Sequence, residues 1–102
     1  MGELTTVADV DGLGSRELAA FDVRGKRIAI ATVGDAFYAF ADTCTHQGCS
    51  LADGALDGTT VTCPCHGSEF DVTTGDVVRG PARVPVSSYP VRLEGNALRV
   101  EI

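Results

Sequence analysis

An all-β fold is predicted by three features of the sequence. Apolar and polar residues alternate over short segments, at the period of two that a strand requires. Turn signals built on Gly, Asp and Asn separate those segments. No apolar stripe at helical spacing runs far enough for a long helix. The expected architecture is an antiparallel β sandwich or small barrel. A chain of 102 residues suffices for one domain and not two, so 1–102 reads as a single domain. Charged residues at 22% and apolar ones at 44% place it among globular chains and not disordered ones.

The elements follow in order. Arg16 to Val23 leads into a turn at Arg24-Gly25-Lys26. Arg27 to Val33 then alternates in the manner of a half-buried strand. Gly34-Asp35 turns the chain, and Ala36 to Phe40 returns. Near the end, Tyr89 to Leu93 and Ala97 to Ile102 flank Glu94-Gly95-Asn96, a hairpin signal. Val91, Leu93, Leu98, Val100 and Ile102 supply its apolar face. Phe37, Tyr38 and Phe40 read as packing residues.

The middle has a different character. From Asp42 to Gly80 the chain is rich in Gly, Thr, Asp and Cys and poor in large apolar residues. Leu51 to Asp53 fits one short helical turn. Asp57-Gly58 marks a hairpin between Ala55-Leu56 and Thr59 to Thr62, and Thr74-Gly75-Asp76 marks a further turn. With so little to bury, this stretch is expected to be pinned by something other than burial.

The net charge is −6, which argues against nucleic acid and against an anionic membrane surface. It points instead toward a basic protein partner. No apolar run, Ile28 to Ala31 and Ala36 to Ala41 included, approaches the ~20 residues a membrane span needs. Met1 to Thr6 have neither the basic nor the apolar part of an export signal, so a cytoplasmic location is expected.

All four cysteines and both histidines fall in the middle stretch, as Cys44-Thr45-His46-Gln47-Gly48-Cys49 and Cys63-Pro64-Cys65-His66-Gly67-Ser68. With the cysteines fixed, chance places both histidines there about once in five thousand arrangements. Thiolate and imidazole are the ligands for iron, zinc and copper. Cys-x-His and Cys-x-x-His each put two of them on one tight loop. Structural zinc stays open on donor chemistry alone, although its usual Cys-x-x-Cys or His-x₃₋₅-His spacing is missing. A pair of structural disulfides also stays open, but it would leave both histidines at ligand offsets by coincidence.

The two motifs, 16 residues apart, resemble those of the Rieske iron–sulfur family. From Thr43 to Ile102 the chain is similar to the Rieske ferredoxins of aromatic-ring oxygenases, with Leu51-Ala52-Asp53-Gly54, Phe70-Asp71, Thr74-Gly75 and Gly80-Pro81 in matching places. The first forty residues match only as a generic β base. The resemblance implies one [2Fe-2S] cluster held by Cys44, His46, Cys63 and His66, one cysteine and one histidine from each loop. It implies a cluster-binding subdomain at about 42–80, inserted in a base of 1–41 and 81–102.

Two thiolates and two neutral imidazoles leave the oxidised centre uncharged, whereas four thiolates would make it a dianion. The potential is therefore raised. Oxygenase ferredoxins usually lack cysteine at the positions of Cys49 and Cys65. Quinol-oxidising Rieske proteins have both as a disulfide, so the same bridge is expected here. Ser68 matches that group's sulfur-directed hydroxyl; Phe70 stands where that group has Tyr, and Gln47 replaces a shielding Leu. Ser68 and Phe70 are thus the expected potential-tuning positions, with an intermediate potential. Gly80 and Pro81 resemble a lid over the cluster; the plainer reading is a turn before an edge strand at Val84.

No catalytic constellation remains once the ligands are assigned. The resemblance implies a soluble, monomeric one-electron carrier, not an enzyme. It would pass electrons from a flavoprotein reductase to a terminal oxygenase. Alternatives are a small redox subunit of a nitrite reductase or of a quinol- or arsenite-oxidising complex, and, remotely, a zinc-bound interaction module.

Overall fold

Each turn signal read above lies between strands that pair with one another. The computed structural model describes residues 3–13, 16–45, 48–65 and 67–102. Among them are eleven strands, a four-residue helix and one 3-10 turn. Every pairing is antiparallel. One sheet joins β1 (Leu4–Asp9), β11 (Ala97–Glu101) and β10 (Val91–Glu94), in that order. A second has the order β2 (Leu18–Val23), β3 (Lys26–Val33), β4 (Ala36–Ala41), β9 (Ser88–Tyr89). A third, of short strands, runs β5 (Ala55–Asp57), β6 (Thr60–Thr62), β7 (Glu69–Asp71), β8 (Val77–Arg79). The helix α1 spans Val10–Leu13, and the 3-10 turn spans Leu51–Asp53.

The central strand β3 positions everything else. Its alternation suggests one buried face, yet both faces are covered. Ile28 and Ile30 point into a core with Leu13, Ala19, Val23, Ala39, Leu98 and Val100. Ala29 and Ala31 point into a second core with Phe40, Leu51, Val61, Phe70, Val72, Ala82 and Val86. The volumes complement one another. Where β3 presents small alanines, its neighbour β4 presents Phe40; where β3 presents isoleucines, β4 presents Ala39.

The middle stretch therefore has more apolar burial than its composition suggests. Leu51, Val61 and Phe70 have no exposed surface, and Val72 has 1%. Val61 faces Phe70 directly across the β6–β7 pair. This small core is continuous with the base through Ala29, Ala31 and Phe40. Burial at about 25 cal/mol per Å² thus holds part of the stretch against the base, beside the fastening that the sequence leads one to expect. The edge strand suggested at Val84 is also absent: residues 80–87 form a loop, and the chain re-enters a sheet only at Ser88. That loop is held at its far end by Val86, whose N–H donates to the Gly75 carbonyl at 2.9 Å. Gly75 has φ +85°, and a Cβ there would sit 2.1 Å from the Val86 carbonyl oxygen. Only glycine permits both the turn and the approach.

Candidate metal centre

Two loops project from the third sheet and the 3-10 turn, and they are built alike. In the first, the Cys44 N–H donates to the Cys49 carbonyl at 2.8 Å, and the Gly48 N–H to the Cys44 carbonyl at 2.8 Å. In the second, the Cys63 N–H donates to the Ser68 carbonyl at 2.7 Å, and the Gly67 N–H to the Cys63 carbonyl at 3.2 Å. Both turns close through a glycine in the left-handed region, Gly48 at φ +77° and Gly67 at φ +79°. Cys44 thus corresponds to Cys63, and Cys49 to Ser68. The two corresponding cysteines are buried, at 2% and 3% exposure.

The loops and the 80–87 segment are tied pairwise. Cys49 and Cys65 form a disulfide, Cα to Cα 6.4 Å, which joins loop to loop. Ser68, fully buried, accepts the Ala82 N–H on its hydroxyl oxygen at 3.0 Å, which joins the second loop to the 80–87 segment. The Thr45 hydroxyl donates to the Val84 carbonyl at 2.6 Å, which joins the first loop to the same segment. The Gly80–Pro81 peptide in that segment is cis. Three segments without regular structure are thereby closed into a ring by one covalent and two hydrogen bonds.

The base of the first loop is locked by a residue that the sequence reading passed over. Asp42 is fully buried. Its carboxylate accepts from Ser50 Oγ at 2.5 Å, Ala52 N at 2.8 Å and Arg27 Nε at 3.1 Å. Its backbone N–H donates to the Arg27 carbonyl, and its carbonyl accepts from Leu51 N. Thr43 pairs with Ser50 as an isolated bridge just above. Arg27 is half-exposed and also reaches Asp22 at 3.4 Å. Hydrogen bonding to Asp42 is the largest influence on this guanidinium and raises its pKa above the ordinary value, against partial desolvation. A buried carboxylate with three donors is a satisfied charge, not an orphan. No spacing rule could have flagged Asp42 or Thr45, because their partners at Arg27 and Val84 are distant in sequence.

His46, Gln47 and His66 lie outside the described residues. Among those described, the sulfur atoms of Cys49, Cys63 and Cys65 lie within 4.8 Å of one another. Two of these three are committed to the disulfide and have no thiolate to give a metal. The donor chemistry left for a metal is the pair of buried cysteines, Cys44 and Cys63, with the histidine two or three residues after each. That set suits iron in a [2Fe-2S] centre. Ser68 adds a hydroxyl that uses one of its two lone pairs on the Ala82 N–H and has a proton to give to an acceptor. Phe70, with no hydroxyl, is wholly buried on β7, the strand that follows the second loop. Gly80 and Pro81 are exposed at the start of the tying segment.

Comparison with known proteins agrees with this chemistry. Residues 3–90 match the model of the Rieske [2Fe-2S] domain. The ferredoxin CarAc of Metapseudomonas resinovorans is 45% identical over 67 residues, which are 66% of this chain and 63% of that one. The ferredoxin component of biphenyl 2,3-dioxygenase from Rhodococcus jostii is 33% identical over 97% of this chain and 92% of its own. Among solved structures, the complex of reduced oxygenase and oxidized ferredoxin in carbazole 1,9a-dioxygenase contains a chain with TM-score 0.88 and 33% identity. The match covers 96% of this chain and 92% of that one. Among the described residues, no helix is long and apolar enough to cross a membrane.

Proposed function

The chain belongs to the Rieske [2Fe-2S] domain family, and on that premise we propose how its residues serve electron transfer. The protein is an electron carrier of the ferredoxin type, not itself a catalyst, and its cofactor is one Rieske-type [2Fe-2S] cluster. When bound, that cluster supplies a one-electron couple at a potential raised by its neutral histidine ligands. We assign its ligation to Cys44 and Cys63 for one iron and His46 and His66 for the other. The observation that carries the assignment is the pair of matched turns, each presenting one buried cysteine from the same position. The segment at about 42–80 is then the cluster-binding subdomain, and 1–41 with 81–102 the base.

The roles of the remaining residues follow. The Cys49–Cys65 bridge and the Thr45–Val84 and Ser68–Ala82 bonds hold the two loops at a fixed separation, which a shared centre requires. Ser68 would offer its proton to the bound cluster and so favour the reduced, more negative state. Phe70 offers no second hydroxyl. Gly80 and Pro81 begin the lid. The electron arrives from a flavoprotein reductase and leaves to a terminal oxygenase. The likeness to a chain of the oxygenase–ferredoxin complex supports the second partner. We place the protein in the cytoplasm as a monomer.

The test is metal content. Protein purified without oxygen should hold two iron and two sulfide per chain, as the family's centre requires. Cys44→Ser, His46→Ala, Cys63→Ser and His66→Ala should each abolish the visible absorption. Stoichiometric zinc in a colourless native preparation would overturn the assignment.

A further inference from the structure

The ring of three segments is charged unlike the rest of the chain. All fourteen Asp and Glu residues lie outside 43–50, 63–68 and 80–87, whereas Arg83 lies within the last of these. The remaining residues therefore carry a net −7, the −6 of the whole less that arginine's charge. Two acids flank the ring. Asp42 is bound by Arg27, and Glu69 faces Arg79 across the β7–β8 pair. Arg83 is exposed and, among the described residues, makes no hydrogen bond or ion pair. Beside it in the chain stand exposed apolar residues, Val84 at 60% with Pro81 and Pro85. The backbone of this patch is held by the bonds to Thr45 and Ser68, so it is pre-formed.

We propose that this face docks a redox partner whose own contact surface is apolar at its centre and carries carboxylates opposite Arg83. The proposal rests on the electron-carrier reading and names the partner's chemistry. It reverses what net charge alone suggests, a basic partner. Local charge decides at the point of contact, because the Debye length is about 10 Å at 0.1 M salt and the distant acids are screened first. A basic edge at an apolar patch steers an acidic partner onto the cluster end. The acidic body repels that partner from every other approach.

The experiment uses two small one-electron oxidants of opposite charge on the reduced holoprotein. One is ferricyanide, which takes one electron from the protein and becomes ferrocyanide. The other is tris(phenanthroline)cobalt(III), which takes one electron and becomes the cobalt(II) complex. If the electron leaves beside Arg83, the ferricyanide rate falls as salt is raised, by up to about tenfold, because attraction is being screened. The cobalt complex shows the opposite slope. Arg83→Glu, an exposed change that leaves folding intact, should invert the ferricyanide slope. A ferricyanide rate that rises with salt in the wild type, as −6 demands, would overturn the proposal. So would slopes that Arg83→Glu leaves unchanged. Sedimentation at low salt gives a readout independent of electron transfer. Wild-type dimers that Arg83→Glu abolishes would assign the patch to a second copy's acidic body and overturn the partner chemistry. Protein that takes up no cluster would instead sink the carrier reading itself, so the two failures are distinct.

Discussion

Replacing Asp42 tests whether the first loop is held from below. Its carboxylate takes two hydrogen bonds inside the protein, from Ser50 Oγ and Ala52 N, and a third from half-exposed Arg27. A hydrogen bond to a charged group contributes about 1.5–3 kcal/mol, so the two buried ones sum to about 3–6 kcal/mol. The Arg27 contact is left out of that sum because the guanidinium faces water on one side. Asp42→Ala forfeits both bonds, a large fraction of the 5–15 kcal/mol that folds a typical domain. Asp42→Asn is milder. Its oxygen can keep Ala52, and its amide can donate to a rotated Ser50 hydroxyl, but neutral bonds are about half as strong. The expected loss is about 1.5–3 kcal/mol.

Urea unfolding of the apoprotein reads this directly, and thermal bleaching of the holoprotein reads its effect on the cluster loop. Asp22→Asn is the control. It removes a contact at 3.4 Å from a residue whose side chain is 74% exposed, which is worth about 0–1 kcal/mol at most. If Asp42→Asn and Asp22→Asn were equivalent in both assays, Asp42 would not be the lock described here.

Three further outcomes are expected. Ser68→Ala should lower the reduction potential by tens of millivolts, since ~1.4 kcal/mol corresponds to about 59 mV for one electron, and Phe70→Tyr should raise it by a similar amount. Protein-film voltammetry at fixed pH measures both, and an unmoved Ser68→Ala potential with the cluster intact would show the hydroxyl points elsewhere. Cys49→Ser with Cys65→Ser should destabilise by about 3 kcal/mol on the chain-entropy relation for a loop of this size. Intact mass after alkylation without reductant checks the bridge first: two modified thiols at these positions would refute it. Gly75→Ala should cost more than about 1 kcal/mol, because φ +85° strains any side chain and its Cβ would meet the Val86 carbonyl at 2.1 Å. An unchanged urea midpoint would refute that close approach.

Local signals carried most of the fold that was legible in the sequence. The turns at Arg24-Gly25, Gly34-Asp35, Asp57-Gly58 and Gly95-Asn96 each connect the strands on either side. The 3-10 turn falls on Leu51–Asp53. What escaped was set by distant partners. β1 owes its existence to β11, at the other end of the chain, and Leu4 to Asp9 alternate too weakly to announce it. β3 looked half-buried because alanine reads as neutral, whereas Ala29 and Ala31 are small to admit Phe40 and the cluster-binding stretch. At the site, the rare cysteines and histidines marked a metal centre by their offsets, but zinc stayed open on them alone, and the iron–sulfur identity came from the family resemblance. Thr45, Asp42 and the Ala82 N–H were invisible, because a hydrogen bond to a backbone group leaves no mark on the partner's identity.

The equivalence of the two turns explains why cysteine at one place corresponds to serine at the other. In each turn the first residue is the buried cysteine, and the residue after the glycine closes the turn with its carbonyl. The side chain at that closing position is then aimed out of the turn and serves as a fastener. In the first loop it is Cys49, which bonds covalently to the second loop. In the second it is Ser68, which accepts the Ala82 N–H of the lid. A second cysteine at 68 would remove the short oxygen that the lid N–H needs. A serine at 49 would leave the loops joined only through Val84 and Ala82, by hydrogen bonds of about 0.5–1.5 kcal/mol each. The hydroxyl also polarises. By accepting from Ala82 it becomes a stronger donor toward whatever its own proton meets. On the role proposed for Ser68, the 80–87 segment would contribute to the potential through that hydroxyl, so the fastening of the site and the tuning of its couple would be one hydrogen-bonded chain.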